Sequence, residues 1–276
     1  MSKWKIPAAL TGGVLALGAV FATTAVAQAA PAHTAATTAT ASTHQAKPTI
    51  VLVSGAFEDS TSWSGEITSL EKAGYPVIAP AVPLRGVASD SAYLTTLVRS
   101  IKGQVVLVSH SYGGLLTTQI AAQDPKQVKA LVYAASLIPK AGQTANQLIT
   151  QFPGSLLGPN TTYTVAIPGG TDTYVKPASF RALFAGDRTP AEAAVDAATQ
   201  RPIASSALGE AVKSGVPAGV PVYAIVASHD MAIPPAAERY EAKQAHAVSI
   251  TTVSSSHDLP TSHPGAVTAV IERAAR

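Results

Sequence analysis

A chain of 276 residues with no cysteine excludes thiolate metal centres, cysteine nucleophiles and disulfide scaffolds. Its formal charge of +3 comes from Lys3, Lys5 and Lys47, which precede residue 48 with no acid among them. The remainder carries 16 basic and 16 acidic residues, so charge gives no argument for nucleic acid or an anionic membrane as a partner.

Lys3 and Lys5, an apolar run over about 8–22 and the small residues Ala25, Ala27 and Ala29 predict a secretory signal peptide over 1–29, cleaved near Ala27 or Ala29. A membrane anchor is the competing reading. A spanning helix needs ~20 consecutive apolar residues, so no stable anchor is expected after cleavage, and the protein reads as secreted. Residues 30–47 are Ala/Thr-rich, without periodicity or large apolar side chains, and predict a disordered linker. The folded part is then 48–276, one domain with a sizeable core.

The run TIVLV at 49–53 is continuous, apolar and β-branched, as in strands buried on both faces of a parallel sheet. Residues 77–79, 105–108, 128–133, 222–227 and 248–253 share that character. Helical patterns over 62–73, 89–101, 115–122, 236–245 and 265–275 lie between and after them. The alternation predicts an α/β class with a mostly parallel, doubly wound sheet. It breaks over about 139–216, where aromatics scatter around a Pro/Gly/Thr-rich middle (153–172) and helices are expected near 177–184 and 190–200. This segment reads as a small, mainly helical cap insertion at the strand ends, where ligands bind in such sheets.

The stretch 109–114, Ser-His-Ser-Tyr-Gly-Gly, joins a buried strand to a helix. It matches the nucleophile-elbow pattern G-x-S-x-G with Ser109 at the first glycine position. A competing reading is a glycine-rich turn with incidental serines. A serine hydroxyl needs a base, and the base an orienting acid. In this chain order an acid and then a histidine should follow later strands, and Asp230 and His257 occupy those loops. The remaining histidines fit less well. His33 and His44 lie in the leader and linker, His110 beside the turn, His229 next to Asp230, His246 at a helix end and His263 before Pro264. Asp258 follows His257 too directly to reach its imidazole, and AASLIPK after the strand at 128–133 offers no acid. Ser111, Asp230 and His257 are therefore the candidate triad. The oxyanion donors are expected from the N–H of Tyr112, after the nucleophile, and of Ala56, in the loop where Gly55 permits close approach. Nothing matches H-E-x-x-H, a Walker A sequence or G-x-G-x-x-G after a strand, so no metal or other cofactor is expected.

With these residues placed, the chain resembles the α/β-hydrolase superfamily. The nearer likeness is to its small lid-bearing branch of plant methylesterases, hydroxynitrile lyases and related bacterial esterases. The resemblance covers most of 49–276. It rests on LVSGAFEDSTSW (52–63), SHSYGG (109–114), FRALFAGDRTPAEAAVDAATQRPI (180–203), ASHDMAIPPAAERY (227–240) and SSSHDLPTSHP (254–264). It implies the α/β-hydrolase fold, Ser111 as nucleophile, His257 as base, Asp230 as its orienter and Ala56 and Tyr112 as donors. Relatives usually open the first motif with H-G-A; here Ser54 replaces that histidine, which bears on how the oxyanion loop is held. Cyanohydrin-cleaving relatives carry a lysine after the triad histidine and a threonine in the oxyanion loop. Asp258 and Gly55 stand there in this chain, which favours hydrolysis over lyase chemistry.

The expected function is a secreted serine esterase acting on a small-molecule ester of modest, apolar character. Phe57, Phe152, Leu156, Phe180 and Phe184 are the candidate substrate-binding residues, although ordinary core or lid packing explains such residues equally well. Lactone or amide hydrolysis, cofactor-free perhydrolysis and a catalytically silent binding protein remain alternatives. The sequence carries no signal for oligomeric state.

Overall fold

A computed structural model describes residues 46–276. The expected signal peptide and nearly all of the expected linker lie outside the described residues. Lys47, the last linker residue, rests its ammonium 4.2 Å from the centre of the Tyr75 ring.

Six strands form one parallel sheet: β1 (Thr49–Val53), β2 (Val77–Ile78), β3 (Val105–Ser111), β4 (Val128–Ser136), β8 (Val222–Ala227) and β9 (Ser249–Val253). Their order is β2-β1-β3-β4-β8-β9, and every pairing is parallel. The sheet is doubly wound, as the alternation of strand and helix patterns predicts. Strand side chains alternate between two cores. Val51, Val53, Leu107, Leu131 and Tyr133 pack with residues of α2 (Val87–Ser100), α3 (Gly113–Gln123) and α7 (Pro235–Gln244). Ile50, Leu52, Val106, Val108 and Val132 pack with α1 (Ser64–Lys72) and α9 (Pro264–Ala274). Both faces are thus dry, which is why these strands read as unbroken apolar runs.

Helix α3 starts two residues after the end of β3, and its first nine residues are buried. Only small residues allow that approach. A Cβ on Gly113 would lie 2.6 Å from the Val53 carbonyl oxygen, and one on Gly114 would strike the Leu137 carbonyl.

The segment between β4 and β8 contains α4 (Ala145–Thr150), α5 (Pro177–Leu183) and α6 (Pro190–Thr199). Capping boxes at Thr144/Gln147 and Thr189/Glu192 start α4 and α6, each satisfying two otherwise orphaned N–H groups. The helices expected near 177–184 and 190–200 are α5 and α6; the Pro/Gly/Thr-rich middle, where the sequence predicts no element, holds strands. There β5 (Thr162–Ile167) and β6 (Gly170–Val175) form an antiparallel hairpin, joined on β6 by β7 (Ile203–Ala204). Gly169, at φ +83°, makes the turn. Most of β5 is exposed; its Thr-Tyr-Thr-Val-Ala-Ile run alternates, but Tyr163 and Val165 face solvent and not a core. A further short helix, α8 (Leu259–Ser262), precedes α9. Among the described residues no helix is long and apolar enough to cross a membrane.

Candidate active site

Ser111 is the last residue of β3 and takes φ +51°, a left-handed conformation that costs a non-glycine residue roughly 1–3 kcal/mol and recurs at functional turns. The surroundings hold it there. The Ser136 hydroxyl donates to the Ser111 carbonyl at 2.9 Å, and the β3–β4 register shifts at this point. Ser109, in place of the first elbow glycine, is fully buried, and its hydroxyl reaches the Val132 carbonyl at 3.4 Å. A small hydroxyl residue therefore fits this position.

The three residues that the sequence analysis selects meet at the C-terminal rim of the sheet. Ser111 Oγ lies 2.9 Å from His257 Nε2, and His257 Nδ1 lies 2.5 Å from Asp230 Oδ2. A carboxylate only accepts, so Nδ1 donates to Asp230, and in the neutral tautomer that this bond selects Nε2 is the nitrogen that accepts from the hydroxyl. The other oxygen of Asp230 accepts the N–H groups of Ala232 and Ile233 at 2.7 and 2.8 Å. Asp230 and His257 are both buried, which strengthens their pairing and fixes its direction.

The residues expected to supply the oxyanion donors, Tyr112 and Ala56, follow directly on Ser111 and on Gly55. Tyr112 caps the N-terminus of α3, and its phenol donates to Asp90 Oδ2 at 3.2 Å. Burial raises both the Asp90 carboxyl and the Tyr112 phenol above their usual ranges. Across the site, Gly55 packs so closely that a Cβ there would be 2.6 Å from Ser111 Cβ. Gly55 N–H donates to Glu58 Oε1 and Phe57 N–H to the Arg201 carbonyl. Among the described residues none is paired with the Ala56 N–H between them. Ser54 stands where relatives carry histidine. It holds the loop by donating to the Asp59 carbonyl at 3.1 Å while accepting from the Trp63 indole at 3.0 Å.

Of the candidate substrate contacts, Phe57, Phe180 and Phe184 line a pocket of about 170 Å³ together with Glu58, Asp196 and Asp258. The Phe184 ring meets the His257 ring edge-on at 4.7 Å, so this pocket lies one side chain from the triad. Phe152 and Leu156 lie elsewhere. Phe152 packs on Tyr240 at 5.4 Å, and Leu156 is exposed with its N–H on the Met231 carbonyl. A larger groove of about 670 Å³, formed by 138–141, 215–222, 244–246 and Val248, includes none of the triad or donor residues.

Three neighbours of the triad have no sequence signature. Asp187, between α5 and α6, accepts from Ser256 N–H and the hydroxyls of Ser255 and Ser256. These bonds hold its carboxyl below its usual range against the burial that raises it. Asp258 donates its N–H to the Phe184 carbonyl, and burial pushes its carboxyl up to about 7. Glu58 pairs with His110 at 2.5 Å. Burial alone would raise Glu58 and lower His110; their mutual attraction and hydrogen bond reverse both directions. Among the described residues no group of three or more histidines and acids is arranged to hold a metal.

The Alpha/beta hydrolase family profile matches residues 50–270. The chain belongs to that family. A probable hydrolase from Phoma sp. is 31% identical over 124 residues, covering 40% of this chain and 51% of the relative. A carbendazim hydrolyzing esterase from Nocardioides sp. is 29% identical over 111 residues, 36% of this chain and 46% of the relative. The matched stretch thus spans about half the length of each curated relative. The solved structure of a pyrethroid hydrolase from Sphingobium faniae JZ-2 superimposes with a TM-score of 0.68 at 20% identity, over 83% of this chain and 97% of that one. At that identity the likeness establishes the fold.

Proposed function

We propose that the protein is a secreted serine esterase that cleaves small to medium apolar carboxylic esters through an acyl-enzyme. The observation that carries this reading is the continuous line from Asp230 through His257 to the Ser111 hydroxyl, with spacings of 2.5 and 2.9 Å. In this mechanism Ser111 Oγ attacks the ester carbonyl carbon as its proton passes to His257 Nε2. The carbonyl oxygen becomes an oxyanion facing the N–H groups of Ala56 and Tyr112 and the positive end of α3. The imidazolium, balanced by Asp230, returns the proton to the departing alcohol, leaving an ester on Ser111. A water then repeats the sequence, giving its proton to His257 and releasing the acid.

Family membership and the names of the curated relatives support hydrolysis, and the esterase among them supports an ester bond. Phe57, Phe180 and Phe184 share the pocket beside the histidine with Glu58, Asp59, Asp196 and Asp258 and with the hydroxyls of Thr61, Ser62, Thr199 and Thr261, so its lining is mixed and the acyl preference is read from the ester panel. The test is a fluorophosphonate probe together with a panel of p-nitrophenyl esters of increasing acyl length. Labelling of the wild type should vanish in Ser111→Ala, and turnover should fall by about 10⁴-fold or more. Wild-type protein that neither labels nor hydrolyses any ester of the panel would refute the proposal. Export of the full chain with cleavage near Ala27 or Ala29, read by N-terminal sequencing of secreted protein, tests the localisation.

A further inference from the structure

Glu58 and His110 link three parts of the site without touching the reacting atoms. Glu58 sits in the loop after β1, and its Oε1 accepts the Gly55 N–H at 2.5 Å, one peptide before the Ala56 donor. The same oxygen lies 2.5 Å from His110 Nδ1. His110 immediately precedes the nucleophile, and its Nε2 lies 2.8 Å from the carbonyl oxygen of His257. Both side chains are buried, His110 completely. The two imidazoles are 4.6 Å apart, centre to centre. A backbone carbonyl can only accept, so Nε2 carries a proton; a carboxylate on Nδ1 makes the ring doubly protonated. The other charged or titratable groups near this pair are Glu66 on α1, Asp258 in the histidine loop and His257 itself.

An ion pair buried beside a serine–histidine couple carries a desolvation cost that a hydrophobic pair would avoid. Its bonding pattern supplies what a hydrophobic pair could not: one chain of hydrogen bonds from the oxyanion loop, past the elbow, to the backbone of the triad histidine. Relatives that open this motif with histidine have a different group at position 54. Here, among the described residues, the Ser54 side chain bonds to Asp59 and Trp63, and the Gly55 peptide is held by Glu58.

We propose that Glu58 and His110 act as a positioning pair that sets the Ala56 N–H and the His257 imidazole relative to Ser111. This proposal rests on the esterase reading above. The pair acts through hydrogen bonds to backbone, so an acceptor oxygen at 58 is what the oxyanion loop requires. Its loss reduces stabilisation of the transition state; Glu58 also borders the pocket of Phe57, Phe180 and Phe184, but a small acetyl ester does not need that pocket filled, so its ground-state binding stays in place.

The experiment compares wild type with Glu58→Ala, Glu58→Gln, His110→Asn and the Glu58→Ala/His110→Asn double variant. It measures kcat and KM on p-nitrophenyl acetate, and Ki for a trifluoromethyl ketone that forms a tetrahedral adduct. Glu58→Ala should lower kcat by about 10- to 100-fold and raise Ki in proportion, with KM changed by less than about twofold. Glu58→Gln, which keeps an acceptor oxygen, should recover most of that loss. His110→Asn should lower kcat by a similar factor, and the double variant should fall little further, because both residues work through one pair.

Wild-type kcat and Ki in Glu58→Ala overturns the proposal, as does Glu58→Gln as impaired as Glu58→Ala, or a loss confined to KM. If Glu58→Ala gives no cooperative thermal transition, Glu58→Gln and His110→Asn decide: a conserved kcat and Ki in His110→Asn overturns the pair. An active wild type with unaffected variants removes only the positioning role. A wild type that hydrolyses nothing and resists the fluorophosphonate removes the esterase reading and this role with it.

Discussion

Gly55→Ala is a sharp perturbation of the site because it adds one methyl group at its narrowest point. The new Cβ would stand 2.6 Å from Ser111 Cβ, 3.1 Å from the His110 carbonyl oxygen and 3.2 Å from Ser111 Oγ. Ordinary contact begins near 3.4 Å, so the loop and the elbow must separate by about 0.8 Å against the closest atom. The elbow cannot give way cheaply. Ser111 is already at φ +51°, and its carbonyl is bonded by Ser136. The loop after β1 therefore retreats and carries the Ala56 N–H with it. Misplacing a catalytic group by ~1 Å costs about 10² in rate, and losing an oxyanion donor outright costs roughly 10²–10³. Overpacking itself destabilises by about 1–3 kcal/mol. The expected result is a folded protein with a lower Tm and kcat on p-nitrophenyl acetate reduced by about 10²-fold. A variant with kcat within about twofold of wild type and an unchanged Tm refutes the reasoning, since it shows that the loop does not press on the elbow.

Asp230→Asn removes the charge that holds His257 Nδ1–H and should lower kcat by about 10⁴-fold, while thermal unfolding shows the fold retained; a loss below about tenfold assigns the orienting role elsewhere. Gly114→Ala places a methyl against the Leu137 carbonyl at the start of a fully buried helix. It should cost more stability than Gly142→Ala, where φ is +82° but no heavy atom lies within 4 Å; chemical denaturation of the two variants compares them, and equal midpoints exclude the packing argument. Glu66 and Glu241 have carboxyls pushed from 4.5 up to about 8 by burial, so both are protonated in the folded protein at neutral pH and ionised in the unfolded chain. Between pH 4.5 and 8 the unfolded state binds fewer protons, and stability falls as pH rises through that window. The Glu66→Gln/Glu241→Gln double variant should show a flatter profile of Tm against pH; identical slopes would mean that these acids do not titrate as their burial requires.

The chain order of chemistry was legible in the amino-acid sequence because each part carries a local mark. Strands β1, β3, β4 and β8 are buried on both faces, so 49–53 and 222–227 appear with the bounds that the structure gives them. The elbow is legible because a turn this cramped needs small residues two and three positions from Ser111, at Ser109, Gly113 and Gly114, and Asp230 and His257 because each follows a strand that ends on the same rim. The hairpin of β5 and β6 left a weaker mark: Thr-Tyr-Thr-Val-Ala-Ile alternates ahead of Pro-Gly-Gly, but its first strand is mostly exposed, so the alternation points to no core face. Glu58, His110 and Asp187 are of another kind. Glu58 and His110 are 52 residues apart, and His110 and His257 are 147 apart. A buried acid looks no different in sequence from the half-buried Asp59 beside it. Periodicity records whether a position meets water or core, and a cramped turn records its small residues, so the sequence by itself determined the sheet, the elbow and the chain order in which Ser111, Asp230 and His257 follow their strands. Only the tertiary structure decided which buried charges meet, because that depends on distances set by the packing of β1, β3 and the loop after β9 against one another.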